Sequence, residues 1–170
     1  MTYKLIGAIL VIVGCGGFGF MISAGYKREE RHLRELQQAL LHMSSELQYR
    51  LTPLPELVQK MAEHTSGALW QVFSVLDREL TCQIAPNAEA CLHTALKENP
   101  SIPPLTGNML RLFGKSLGKF DLTGQITGIE QVQSACKECI DKLAADRDER
   151  LRSYRTLGIC AGLAIAILLI

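Results

Sequence analysis

Charge is absent from both ends of this chain and crowded into its middle. Leu5 to Tyr26 carries no charged side chain, and Thr156 to Ile170 carries none but the terminal carboxylate. Nearly all of the Lys, Arg, Asp and Glu lie between these runs. Two apolar helices joined by one polar segment place that segment on a single side of a bilayer. At ~1.5 Å per residue the first run reaches roughly 33 Å, about one hydrocarbon thickness. The second reaches only about 22 Å, which is short for a span. Snorkelling of Arg152 and Arg155, with Tyr154 at the interface, extends it.

Flanking charge sets the expected orientation. Lys27, Arg28, Arg31 and Arg34 follow the first run, and Arg147, Arg150, Arg152 and Arg155 precede the second. Lys4 alone lies outside the runs. Basic residues stay cytoplasmic, so the middle is expected inside the cell membrane and both termini outside. The organisation predicted is an anchor over 1–26, a cytosolic domain over 27–155 and a short transmembrane segment over 156–170.

Two other readings of the N-terminus compete. A cleaved signal peptide would start with one Lys before an apolar core, but Ile22 occupies the third position before a cut after Ala24. A lipoprotein anchored at Cys15, with its domain outside, fits the Ile12-Val13-Gly14-Cys15 box. Against it, Gly16 to Met21 stays apolar and the basic cluster would have to cross the membrane.

Gly158, Gly162 and Ala166 recur every four positions. Such a small-residue stripe lets another helix backbone approach closely. The glycine-rich first anchor is the expected partner, although glycine is also simply common in membrane helices.

With 170 residues, one compact domain plus anchors is expected. A net charge of +1 with one Trp, four Tyr and five Phe argues against nucleic-acid binding. The six cysteines are read as free thiols in a reducing compartment rather than a disulfide framework.

Periodicity in the middle is helical throughout. Leu33, Leu36, Leu40, Met43 and Leu47 alternate at three and four, a heptad-like stripe on one helix continuous with the first anchor. It stops at Thr52-Pro53-Leu54-Pro55, where Thr52 is expected to cap a second helix and Pro53 to take its first position. Leu54, Leu57, Val58 and Met61 mark that helix, and Leu69, Trp70, Val72, Phe73, Leu76 and Leu80 a third. Ala88 to Leu96 fit a fourth. Leu105, Met109, Leu112, Phe113 and Leu117 mark a fifth, with Gly118 suiting its end. Asp121 is expected to cap a last helix running into the second anchor. The fold expected is all-α, a six-helix antiparallel bundle whose first and last helices continue into membrane anchors.

Catalytic and cofactor motifs are not found. Cys136-Lys-Glu-Cys139 has metal-like or redox-like spacing, yet lacks a second pair or a histidine nearby in sequence. Core packing is the stronger reading, with a redox or regulatory module using Cys136 and Cys139 as the alternative. His32, His42, His64 and His93 match no metalloprotease arrangement. No enzyme activity, cofactor or metal is expected.

Four fragments, in order, carry a family resemblance: Lys4-Leu5-Ile6-Gly7-Ala8 entering the anchor; Glu46-Leu-Gln-Tyr49 leading into Thr52-Pro53-Leu54; Leu117-Gly118-Lys-Phe-Asp121 followed by Gln125; and Leu157-Gly158-Ile-Cys-Ala-Gly162 before a short apolar tail. With these the chain resembles the stage III sporulation protein AB family over essentially its whole length. The resemblance implies a mother-cell membrane component of the channel apparatus joining mother cell and forespore. It implies a fold similar to the cytoplasmic domain of the type II secretion platform protein F. It also implies a secretion-type ATPase, stage III sporulation protein AA, as cytosolic partner beside other channel components. Self-association is compatible with it. Within the motifs, Thr52, Pro53, Asp121 and Gly118 have ordinary helix-end explanations. Tyr49 and Gln125 do not, and are the better candidates for a contact surface or a polar link between helices.

Overall fold

A computed structural model describes the backbone of residues 2–50, 52–82, 86–117 and 121–169, and the side chains of 25–50, 52–82, 86–117 and 121–146. Six helices and no strand occur among the described residues: α1 (Thr2–Arg50), α2 (Leu54–Glu63), α3 (Gly67–Thr81), α4 (Ala88–Glu98), α5 (Pro104–Ser116) and α6 (Leu122–Leu169). The all-α, six-helix bundle expected from periodicity is the fold observed. The chain divides into two compact units, one of Met1–Arg28 with Asp141–Ile170, the other Glu29–Ile140. Within that first unit, residues 2–28 belong to α1 and 141–169 to α6.

The second unit holds the core. Leu33, Leu36, Leu40, Met43 and Leu47 of α1 are all buried, so the heptad-like stripe is the seam. Each such side chain contributes about 1.5–3 kcal/mol relative to exposure. Ile129, Val132, Cys136 and Ile140 form the buried face of α6. Among the shorter helices α2 packs on α3, α3 on α4 and α4 on α5. Phe73 and Phe113 are the largest fully buried side chains among the described residues. Trp70 departs from its expected place, being 50% exposed, because Leu69, Val72, Phe73 and Leu76 already fill the inward face of α3. Leu112 is likewise exposed while Leu110 takes the core position on α5.

Carboxylates on α1 secure the shorter helices. Glu29 accepts hydrogen bonds from the Thr106 amide (2.9 Å) and hydroxyl (3.3 Å) in the first turn of α5. Those amides have no partner within their own helix, and Pro103 at the N-cap supplies no side-chain acceptor. Glu35 does the same for α3, accepting from the Ser66 amide and from its hydroxyl at 2.8 Å. At α4 the cap is local, Asn87 Oδ1 accepting from the Ala90 amide at 2.8 Å.

Two helix junctions depend on glycine. Gly67 opens α3 with φ +54°, a left-handed conformation that costs other residues strain. Gly128 of α6 lies against Ser116 of α5 so closely that a Cβ would stand 2.7 Å from the serine side chain.

The anchor assignments to 1–26 and 156–170, apart from Gly25 and Tyr26, and with them the lipidation-like Cys15 and the stripe of Gly158, Gly162 and Ala166, fall outside the residues with described side chains. Among the described residues no helix is long and apolar enough to cross a membrane.

Candidate interaction surface at the α1–α2 turn

The turn from α1 to α2 is built by its prolines. Pro53 adopts φ −60°, ψ 147° and stands at the N-cap of α2, and its carbonyl accepts from the Leu57 amide at 3.1 Å. Pro55 sits in the first turn of the helix, where its missing N–H costs nothing. The expected roles are thus each displaced. Thr52 does not cap α2, and Pro53 is not its first helical residue. The buried Thr52 hydroxyl instead turns back to donate to Glu46 Oε2 at 3.3 Å.

Glu46 is the hub of this turn. Its Oε2 also accepts from Lys60 Nζ of α2 at 2.7 Å, and its Oε1 faces Arg50 Nη1 at 3.6 Å. Lys60 reaches Glu56 at 3.4 Å as well. The Lys60 hydrogen bond, aided by the Arg50 and Lys60 charges, holds the Glu46 carboxyl below its ordinary value, although burial opposes it. The same hydrogen bond raises the Lys60 ammonium above its ordinary value. Partly exposed pairs of this kind are individually weak, so the arrangement fixes geometry more than it adds stability.

One helical turn below Glu46, Tyr49 stands out from this frame. It is 81% exposed, the most exposed of the large apolar side chains among the described residues. Arg50 and Pro53 are exposed beside it in sequence, and Leu54 is half-buried. An exposed aromatic on a braced helix end presents rigid, amphipathic contact area at little entropic cost to a partner.

The second motif lies at the α5–α6 junction. Asp121 caps α6 as expected: its Oδ1 accepts from the Gly124 amide at 3.0 Å and its carbonyl from the Gln125 amide at 2.9 Å. Leu117 is buried and closes α5, and Gln125 is half-buried. Gly118 lies outside the described residues. Glu46 and Thr52 are therefore brought together with Lys60, and Asp121 with Gln125, by separate contacts. A separate open cleft of about 310 Å³, lined by residues including Asn99, Ile102, Pro103, Asn108 and Arg111, contains none of the motif residues.

Sequence reasoning missed Lys60, Glu29 and Glu35. A signal for Lys60 existed: it lies seven residues after Pro53, as Glu46 lies seven before, the register of an antiparallel pair turning at that proline. Nothing in the sequence marks Glu29 and Glu35, whose partners lie 77 and 31 residues away.

Cys136 is buried, and burial, with a smaller contribution from Cys139, pushes its thiol up to about 12. Cys139 is half-buried. A protonated core thiol is a small hydrophobe rather than a nucleophile. Among the described residues no group of three or more His, Cys, Asp or Glu gathers as a metal set.

Known proteins resemble this chain in sequence and in fold. A Bacillus subtilis (strain 168) protein, stage III sporulation protein AB, is 26% identical over 171 residues, covering 98% of each chain. A solved structure of a stage III sporulation protein AB matches with a TM-score of 0.57 at 21% identity, over 75% of this chain and 97% of that one, a likeness of fold. The family model for stage III sporulation protein AB matches residues 4–170, the length over which the four sequence fragments run. The chain belongs to the stage III sporulation protein AB family.

Proposed function

We propose that the protein is a non-enzymatic, membrane-anchored platform of the mother cell–forespore channel apparatus. Its helical unit faces the mother-cell cytoplasm and binds the secretion-type ATPase, stage III sporulation protein AA, together with other channel components. The apolar runs at 1–26 and 156–170 are its anchors, and the basic residues flanking them set its orientation. The observation that carries the partner-binding part is Tyr49: an aromatic side chain 81% exposed, on a helix end braced by Glu46, Thr52 and Lys60. Interface anchors are enriched in aromatics held in this way. Co-purification from sporulating cells tests the reading. The ATPase is expected to be recovered with the full-length protein, and consistent failure to recover it counts against the platform role.

A further inference from the structure

His42 of α1 and His64, which closes α2, stack ring on ring with centroids 4.6 Å apart and planes 9° from parallel. Both are exposed. They are eleven residues before and after Pro53, and so share the register of the Glu46–Lys60 pair. That pair lies on the side nearer the turn, and the Glu35–Ser66 contact on the other. The backbone positions of the two histidines are therefore pinned from both directions. Nothing in the platform role uses them.

Imidazole is a ligand for zinc, copper, iron and nickel. At metal–nitrogen lengths of about 2.0–2.1 Å, one ion bridges ring nitrogens up to ~4 Å apart. The nitrogen lone pairs lie in the ring planes, so stacked rings must tilt toward a shared ion. Their exposure leaves room for that rotation. The surroundings do not oppose a cation: Glu46 and Glu56 together balance Lys60 and Arg50, and Glu35, which accepts from Ser66, adds a further carboxylate on the same helix as His42. Water completes the coordination shell. Calcium and magnesium, which require oxygen ligands, do not fit.

We propose that His42 and His64 form a two-imidazole site for a transition-metal dication, which staples the end of α2 to α1. The test uses full-length, tag-free protein in detergent with Cys82→Ser throughout, because that exposed thiol competes for metal. Ni²⁺ is titrated by calorimetry and its effect on the unfolding midpoint recorded. Ni²⁺ is expected to bind and raise the midpoint. His42→Asn and His64→Asn should each abolish both effects, whereas His93→Asn keeps them. No Ni²⁺ binding in the parent, or binding unchanged in either of the two variants, overturns the proposal. The parent alone gives a second readout, paramagnetic broadening of histidine NMR signals. His42 and His64 should broaden together and first; earlier broadening of His32 or His93 overturns the site.

Discussion

The Glu46 carboxylate on α1 and the Lys60 ammonium on α2 meet at 2.7 Å, each seven residues from Pro53. This pairing sets the register of the first two helices and, through Thr52, ties the turn to the same carboxylate. Its titration has a definite sign. Glu46 is held below its ordinary value of 4.5, so its contribution is present above that value and is lost as pH falls through the lower folded value. Lys60 is raised above 10.5, so its contribution is present below that value and is lost as pH rises through the higher folded one. Denaturant midpoints should therefore fall in acid less steeply for Glu46→Gln than for the parent. Combining Glu46→Gln with Lys60→Met should cost less than the sum of the two single changes.

Glu29 caps a helix that begins 75 residues after it. Glu29→Ala should destabilise the protein by about 0.5–2 kcal/mol, the range for loss of a helix cap. Glu29→Gln keeps an acceptor oxygen and should recover most of that loss. Equal losses in the two variants would show that charge, not the hydrogen bond, matters there.

Gly128→Ala would place a methyl group 2.7 Å from the Ser116 side chain. Overpacking of this size costs about 1–3 kcal/mol. Adding Ser116→Gly removes the obstructing atoms, so the double variant should be more stable than Gly128→Ala with Ser116 intact, measured by chemical unfolding.

Cys136 is the buried member of its pair, with its thiol pushed up to about 12. At neutral pH a maleimide should modify exposed Cys82 readily and leave Cys136 untouched until the protein unfolds. Cys136→Ala should cost about 1 kcal/mol for the lost apolar volume. Cys136→Ser should cost about 1–3 kcal/mol if its hydroxyl finds no partner. Replacing both Cys136 and Cys139 by Ala should leave spore yield normal; a sharp fall with the fold intact would revive the redox reading.

Cys82 also reports topology. In intact mother cells a membrane-impermeant maleimide should fail to label it, and labelling should appear after permeabilisation. Labelling without permeabilisation would support the outward-facing lipoprotein anchored at Cys15. Cys91, the other cysteine of that region, is buried and unsuited to the measurement.

Helix positions were legible because burial imposes a period that sequence displays. The stripe of Leu33, Leu36, Leu40, Met43 and Leu47 reads directly as a buried face. Asp121 was legible because its cap is local, joining residues three apart. Thr52 was misread for the converse reason. Its local geometry permits a cap, but a carboxylate six residues earlier captures its hydroxyl. Trp70 was misplaced because residue type suggests burial, whereas the inward face of α3 is already filled by Leu69, Val72, Phe73 and Leu76, leaving Trp70 half exposed beside it. Glu29, Glu35 and the stacked histidines depend on tertiary register, which no window along the chain contains.

The platform role stands most directly on what meets Tyr49. A photo-crosslinking amino acid placed at position 49 of the full-length protein, activated in sporulating cells, answers this. The account predicts an adduct containing the stage III sporulation protein AA ATPase, absent when the crosslinker stands at exposed His93 on α4. Adducts at position 49 that never contain the ATPase, in cells where both proteins are present, would contradict it.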